Sequence, residues 1–191
     1  MAVTPAIFLD KDGTLIHDIP YNVDLNRITL RDGTREGLQA LHQRGYKLIV
    51  ITNQSGVARG YFPESAIALV EAKLRALLAP IPLAGFYYCP HHPQGAIAPY
   101  AVTCGCRKPK PGMLLNAAQR HNVDLSESWF IGDILNDVEA GNRAGCRTIL
   151  IDNGNETEWD MSTPERQYTH RAQDIAQAAT LISRAARHVP T

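Results

Sequence analysis

Hydrophobic positions along the chain alternate between short runs typical of buried strands and longer stretches with helical spacing. The apolar and β-branched runs predict strands at 6–9, 47–52, 85–88, 129–131 and 148–151. Helical spacing, often closed by glycine or proline, predicts helices at 35–43, 63–78, 111–121, 136–144 and 175–187. The polar segment 153–174 has neither periodicity, so we expect it to be loop.

This alternation of strands and helices predicts an α/β fold, a Rossmann-like parallel sheet with helices on both faces. In such sheets the ligand binds beyond the carboxyl ends of the strands. Polar residues directly follow four predicted strands: Asp10, Thr52 with Asn53, the region of Cys89, and Asp133. We therefore expect these residues to converge on one site.

Composition and charge exclude several classes of protein. At 191 residues the chain is expected to form a single domain, 1–191. Lys and Arg together number 19, as do Asp and Glu, so bulk charge does not predict nucleic-acid binding. With no signal-peptide pattern and no apolar run of membrane-spanning length, we expect a cytoplasmic monomer without membrane partners. The four cysteines should then be reduced.

The sequence Asp10-Lys11-Asp12-Gly13-Thr14 places two carboxylates at the end of the first predicted strand. Alternate side chains of a strand point the same way, so Asp10 and Asp12 can face one pocket. Two carboxylates meeting there repel each other unless a cation lies between them or one is protonated. The pair suits a Mg²⁺-assisted nucleophile with a proton-transfer partner. An isolated Asp-x-Asp pair more often marks only a strand that ends in a polar turn.

Three further motifs follow in a characteristic order: Thr52-Asn53-Gln54-Ser55-Gly56, Arg107-Lys108-Pro109, and Gly132-Asp133 with Asp137 four residues on. Taken with the first motif, their order and spacing resemble the haloacid dehalogenase superfamily of phosphohydrolases over essentially the whole chain. The resemblance implies the fold of that superfamily. The interval between the first two motifs is too short for an inserted cap domain, so we expect a capless member.

The resemblance implies a role for each motif residue. Asp10 would attack phosphorus and form an aspartyl-phosphate, and Asp12 would protonate the leaving oxygen and later deprotonate water. Mg²⁺ would be held by Asp10, the backbone carbonyl of Asp12, and Asp133. The transferring phosphoryl group would be stabilised by Thr52, Asn53 and Lys108. Asp137 has two open interpretations, an exposed helix carboxylate or a residue that orients its neighbours.

A second cluster of candidate ligands is Cys89, His91, Cys104 and Cys106. A Cys-x-His pair and a Cys-x-Cys pair can close a tetrahedral site, and thiolates favour Zn²⁺ over Mg²⁺. Four protein ligands leave no open position, so this zinc would be structural and would fold the loop 89–106. Spacing alone does not separate His91 from His92, and the resemblance selects His91. Cys146 is expected to be a small core residue.

The segments 52–60, 87–95 and 104–109 narrow the resemblance to the heptose-bisphosphate phosphatase family, which acts in the synthesis of lipopolysaccharide core or related glycans. This resemblance implies a sugar bisphosphate substrate that loses its C7 phosphate. The implied substrate contacts are Asp18, Ile19, Pro20, Tyr21, Gln54, Ser55 and Arg107. Arg107 would suit the remote phosphate, because guanidinium binds phosphate bidentately.

One position departs from the family, and two other functions stay open. Ile134 stands where the family often has Lys, which leaves the preferred anomer and the affinity open. Histidinol-phosphate phosphatases share the expected fold, Mg²⁺ chemistry and a similar zinc loop, so they are the nearest alternative. A catalytically inactive, zinc-stabilised binding module is a distant one.

Overall fold

The computed structural model describes residues 3–186 and contains a six-stranded, fully parallel sheet. Its strands are β1 (Ala6–Leu9), β2 (Lys47–Asn53), β3 (Gly85–Cys89), β4 (Trp129–Gly132), β5 (Arg147–Ile151) and β6 (His170–Ala172). Their order across the sheet is β3-β2-β1-β4-β5-β6. β1 therefore lies between β2 and β4, and the carboxyl ends of these three strands are neighbours.

Helices connect the strands, as the hydrophobic spacing predicts. They are α1 (Thr34–Gln43), α2 (Gly56–Arg59), α3 (Ser65–Leu78), α4 (Gly112–His121), α5 (Leu135–Ala144) and α6 (Ile175–Ala185). The four-residue α2 is too short to show a periodicity, and the sequence did not predict it. The expected end of the last helix at residue 187 lies outside the described residues.

The sheet buries both of its faces, which confirms the predicted fold class. On one face Ile7 and Leu9 of β1 pack in a core with buried residues of α1, α3 and α6. On the other face Ala6 and Phe8 pack with buried residues of α4 and α5. Because every residue of β1 is buried, the strand appears in the sequence as a continuous apolar run and not as an alternating one.

The expectation that 153–174 is loop throughout was wrong in its second half. The segment contains a 3₁₀ helix at Pro164–Arg166 and the edge strand β6, which pairs with β5. β6 has three residues, of which only Ala172 is buried. A strand this short and this exposed gives no period-two signal.

Between β1 and β2 the chain forms only a 3₁₀ helix at Leu25–Arg27 and α1. No separate domain is inserted at this point of the described chain, as expected for a capless fold. Within residues 3–186, no helix combines the length and the apolar character that a bilayer span requires.

Candidate active site

Three carboxylates meet where the central strands end. Asp10 directly follows β1, and its backbone N–H donates to the Ile131 carbonyl at 3.0 Å. Asp133 directly follows β4, and Asp137 lies in the first turn of α5. Oxygens of these three side chains lie within 4.8 Å of one another, and all three residues are buried. Buried carboxylates this close need a cation or bound protons.

Lys108 is a buried cation within this cluster, 3% exposed. Its Nζ lies 2.5 Å from Asp10 Oδ1 and 2.6 Å from Asp137 Oδ1, and it donates to the Ile51 carbonyl at 3.0 Å. Burial disfavours the ammonium form, but the carboxylates of Asp10 and Asp137 outweigh burial and raise the pKa of Lys108. The lysine therefore stays charged.

One lysine does not neutralise three carboxylates. Burial raises the pKa of Asp10 well above its usual range, although Lys108 opposes the shift. Burial, and next the Asp137 carboxylate, raises the pKa of Asp133 to about 6. The negative charge of the cluster therefore exceeds the positive charge of Lys108, so a further cation would be attracted to it. Carboxylate oxygens are the donors that Mg²⁺ prefers.

Asp133 is held on several sides. The Thr14 hydroxyl donates to its Oδ1 at 3.2 Å, and the Asn155 side-chain amide donates to its Oδ2 at 2.6 Å. Oδ2 of Asp137 accepts the backbone N–H groups of Asp133 and Ile134 at 3.2 and 3.3 Å. Asp137 is therefore buried and engaged with its neighbours, which excludes the interpretation as an exposed carboxylate.

Gly13 allows the first motif to approach Asp133 closely. Its φ is +78°, and a Cβ there would lie 2.0 Å from Asp133 Oδ2 and 2.3 Å from Asn155 Nδ2. The Gly13 carbonyl accepts a hydrogen bond from Asn153 Nδ2 at 2.6 Å. Asn153 and Asn155 were not predicted from the sequence. They lie two and four residues after the end of β5, so the rule of polar residues after a strand points to this segment but not to its contact with Asp133.

Asp12 lies at the rim of the cluster. Its side chain is 32% exposed, against 9% for Asp10. Lys11 Nζ lies 2.7 Å from one carboxylate oxygen, and Gln54 Nε2 donates to the other at 3.1 Å. The same Gln54 amide donates to Thr52 Oγ1 at 2.9 Å. A carboxylate at this position can exchange protons with a bound group or with water.

Asn53 joins the second motif to the third. Its Oδ1 accepts the Lys108 backbone N–H at 3.1 Å, and its Nδ2 donates to the Lys108 carbonyl at 3.2 Å. These two bonds fix the segment that carries Lys108 against the end of β2. The oxygen and the nitrogen of the Asn53 side-chain amide therefore both bind the Lys108 backbone.

An open cavity of about 210 Å³ adjoins Asp12. Five of the predicted substrate contacts line it, namely Asp18, Pro20, Tyr21, Gln54 and Ser55. Ile19 and Arg107 are not among its lining residues. Arg107 lies nearer the cysteines, and its guanidinium donates to the His91 carbonyl at 3.4 Å. A larger groove of about 420 Å³, between α1 and α6, carries none of the motif residues.

The second predicted cluster also assembles. Donor atoms of Cys89, His91, Cys104 and Cys106 lie within 4.8 Å of one another. The three sulfur pairs are 3.1 to 3.5 Å apart, and His91 Nδ1 lies 3.7 Å from Cys89 Sγ. Burial opposes ionisation of Cys104, but hydrogen bonds from Cys106 and from the Arg107 backbone lower the pKa of its thiol to about 6.

The structure separates the two adjacent histidines. His91 faces the cysteines, whereas His92 Nε2 lies 3.2 Å from Arg59 Nη2 and His92 Nδ1 accepts the Gln94 backbone N–H. Cys146 is buried in the core beside α4 and α5.

The sheet order, the carboxylates after β1 and β4, and the buried lysine define a haloacid dehalogenase-like hydrolase. A family model described as HAD-hydrolase-like matches residues 105–178. A solved structure of D,D-heptose 1,7-bisphosphate phosphatase from B. bronchiseptica, complexed with magnesium and phosphate, aligns with a TM-score of 0.80. It is 29% identical, and the alignment covers 95% of this chain and 99% of that one.

Sequence relatives make the assignment more specific. The chain is 41% identical over 180 residues to a Pasteurella multocida (strain Pm70) protein, covering 93% of this chain and 96% of that protein. It is 40% identical over 149 residues to an Escherichia coli (strain K12) protein, covering 77% and 78%. Both are named D-glycero-beta-D-manno-heptose-1,7-bisphosphate 7-phosphatase. The chain belongs to this family of phosphatases.

Proposed function

We propose that the protein is a phosphoric monoester hydrolase that removes the C7 phosphate of D-glycero-D-manno-heptose 1,7-bisphosphate. The observation that carries this proposal is the meeting of Asp10, Lys108, Asp133 and Asp137 at the ends of β1 and β4, with Asp12 at the rim. Family membership supports the sugar substrate. The product would enter the synthesis of nucleotide-activated heptose for lipopolysaccharide core.

The residues present fit a magnesium ion. Asp10 and Asp133 offer hard oxygen donors close together. Burial, together with the neighbouring carboxylates, raises the pKa of both groups, and a bound cation would oppose that shift. With the backbone carbonyl of Asp12 they would form the protein part of the site. When bound, Mg²⁺ would neutralise charge on the phosphoryl oxygens and orient them. The B. bronchiseptica relative was solved with magnesium and phosphate.

Two aspartates carry the chemistry in this proposal. A carboxylate oxygen of Asp10 attacks phosphorus, the bond from phosphorus to the C7 oxygen breaks, and Asp12 gives its proton to that oxygen. Asp12 then takes a proton from a water molecule, which attacks the aspartyl-phosphate and releases inorganic phosphate. Lys108, fixed beside Asp10 by Asn53 and Asp137, offsets the charge on the transferring group.

The cysteine cluster is proposed to hold a structural Zn²⁺. Zinc bonded to sulfur at about 2.3 Å gives sulfur–sulfur edges of roughly 3.8 Å in a tetrahedron, and the three sulfurs are already 3.1 to 3.5 Å apart. Three thiolates and one imidazole fill the coordination sphere, so no open position is left for catalysis. The ion would fix the loop 89–106, which leads directly into Arg107 and Lys108.

Recognition of the remote phosphate is proposed for Arg107. Its guanidinium contacts the zinc loop at His91 and can form two parallel hydrogen bonds to a phosphate. Asp18, Pro20, Tyr21 and Asn22 line the cavity beside Asp12, and with no cap domain the zinc loop is proposed to border the substrate on another side. We further propose that the chain acts as a single-domain, cytoplasmic monomer, which size-exclusion chromatography tests.

The decisive experiment measures phosphate release with Mg²⁺ on heptose 1,7-bisphosphate and on histidinol phosphate side by side. We expect kcat/KM to favour the bisphosphate by at least about 100-fold, because two phosphates give two charge-assisted anchors. Arg107→Ala should reduce this preference by raising KM for the bisphosphate, with little change for histidinol phosphate. A preference for histidinol phosphate would move the protein to the alternative substrate class. No Mg²⁺-dependent release from either would support the inactive binding module.

A further inference from the structure

The loop that follows β5 contacts the carboxylate cluster beside the end of the neighbouring strand β4, although no function was predicted for it from the sequence. We refer to residues 152–156 as the β5 loop. Its base is tied to β6 by the Asp152 backbone N–H, which donates to the Ala172 carbonyl at 2.8 Å. Its tip is shaped by Asn153 Oδ1, which accepts the Asn155 backbone N–H at 3.0 Å.

Three side chains of the β5 loop contact separate parts of the site. Asn153 donates to the Gly13 carbonyl at 2.6 Å, and Asn155 donates to Asp133 Oδ2 at 2.6 Å. Glu156 Oε2 accepts the Leu135 backbone N–H at 2.6 Å, at the start of α5. The loop thus connects the first motif, the last motif and the helix that carries Asp137.

Asn155 and Thr14 together fix the orientation of the Asp133 carboxylate. Asn155 donates to one oxygen and Thr14 to the other, so the group cannot rotate without the loss of both hydrogen bonds. Each carboxylate oxygen has a second lone pair, which stays available for a cation. The amide is uncharged, so it directs the carboxylate without competing with a cation for its charge.

We infer that Asn155 is a positioning residue for the divalent-cation site and acts through Asp133. The inference rests on the proposed function, because it takes Mg²⁺ to bind the carboxylates of Asp10 and Asp133. Partners that orient the ligands of a metal typically contribute about 10- to 100-fold in metal affinity or activity. Asn155 has the geometry of such a partner, since its amide contacts the carboxylate and not the proposed substrate cavity.

The test is calorimetric titration of Mg²⁺ into the purified protein without substrate, for the wild type and for Asn155→Leu. Leucine is close to asparagine in volume but cannot donate a hydrogen bond. We expect about tenfold weaker Mg²⁺ binding. In turnover assays, the Mg²⁺ concentration for half-maximal rate should rise by a similar factor. If the leucine variant does not fold, Asn155→Ala gives the same measurement.

Arg171→Ala is the matched control. Arg171 forms an ion pair with Asp152 at the base of the same loop and lies over the Trp159 ring at 5.4 Å. Its loss loosens the β5 loop without removing a contact to Asp133, so wild-type Mg²⁺ affinity is expected. Equal weakening in both variants would show that loop order, and not the amide, sets the affinity. Unchanged Mg²⁺ binding in Asn155→Leu would also overturn the inference about Asn155 but would leave the proposed metal site intact. A wild-type protein that binds no Mg²⁺ would overturn both the inference and the proposed metal site.

Discussion

The two candidate metal clusters are built in opposite ways. The aspartate cluster lies at the ends of β1 and β4, which are the central strands of the sheet, and its carboxylates are buried. The cysteine cluster begins at the end of the edge strand β3, and its other ligands lie on a loop with no helix or strand of its own. Cys104 and Cys106 are only partly buried.

This difference separates what each cluster needs from the fold. The sheet and α5 place the aspartates whether or not an ion is bound, because strand ends and hydrogen bonds fix their backbone. The cysteine loop has no comparable scaffold, so an ion bound there contributes directly to folding. We therefore expect changes in the first cluster to alter rates, and changes in the second to alter stability first.

Asp10→Asn should produce the largest effect on activity. The amide cannot act as the nucleophile, so kcat is expected to fall by at least about 1,000-fold. Because Asp10 is placed by β1 and not by an ion, the circular dichroism spectrum and the zinc content should match the wild type. Turnover within about tenfold of the wild type would refute the nucleophile assignment.

Cys104→Ser should affect stability more than catalysis, in contrast to Asp10→Asn. Loss of one thiolate is expected to lower the zinc content and to cost about 3 kcal/mol or more of folding free energy. For a chain of this size that corresponds to a fall in Tm of roughly 6 to 12 °C. Differential scanning calorimetry and metal analysis measure both quantities.

The control for this variant is Cys146→Ser, which alters a buried cysteine outside the cluster. It should keep its full zinc content even if burial of the new hydroxyl lowers Tm. Equal zinc loss in both variants, or an unchanged Tm in zinc-free Cys104→Ser, would contradict a structural zinc site.

Asp137→Asn should have a smaller effect and sharpen the description of the aspartate cluster. The change removes one of two carboxylates beside Lys108, so the lysine is aimed less well and kcat should fall by about 10- to 100-fold. The Mg²⁺ concentration for half-maximal activity should change little. If that concentration rises more than kcat falls, Asp137 is itself a metal ligand.

The strand-end motifs were accessible from sequence because they obey a local rule. Apolar runs mark β1, β2 and β4, and a polar residue directly after each run marks the site edge, as with Asp10 and Asp133. The parallel sheet with helices on both faces and the family are confirmed. The roles of the individual site residues stay predictions.

Other features depend on contacts between distant parts of the chain. Asn155 contacts Asp133 only because β5 lies beside β4 in the sheet. The hydrophobic pattern of the sequence does not show which strands are neighbours. Spacing could not separate His91 from His92, since both follow Cys89 closely. The two histidines are distinguished only in the folded chain, where the turn after His91 directs His92 to Arg59.

The tight contact between Gly13 and Asp133 has a consequence for how the sequence can vary. Any side chain at position 13 would overlap a carboxylate oxygen and would also need a positive φ. At Gly105, by contrast, a Cβ would meet nothing within 4 Å. In a saturation library selected for activity, position 13 should retain glycine alone, while position 105 should accept many of the twenty amino acids.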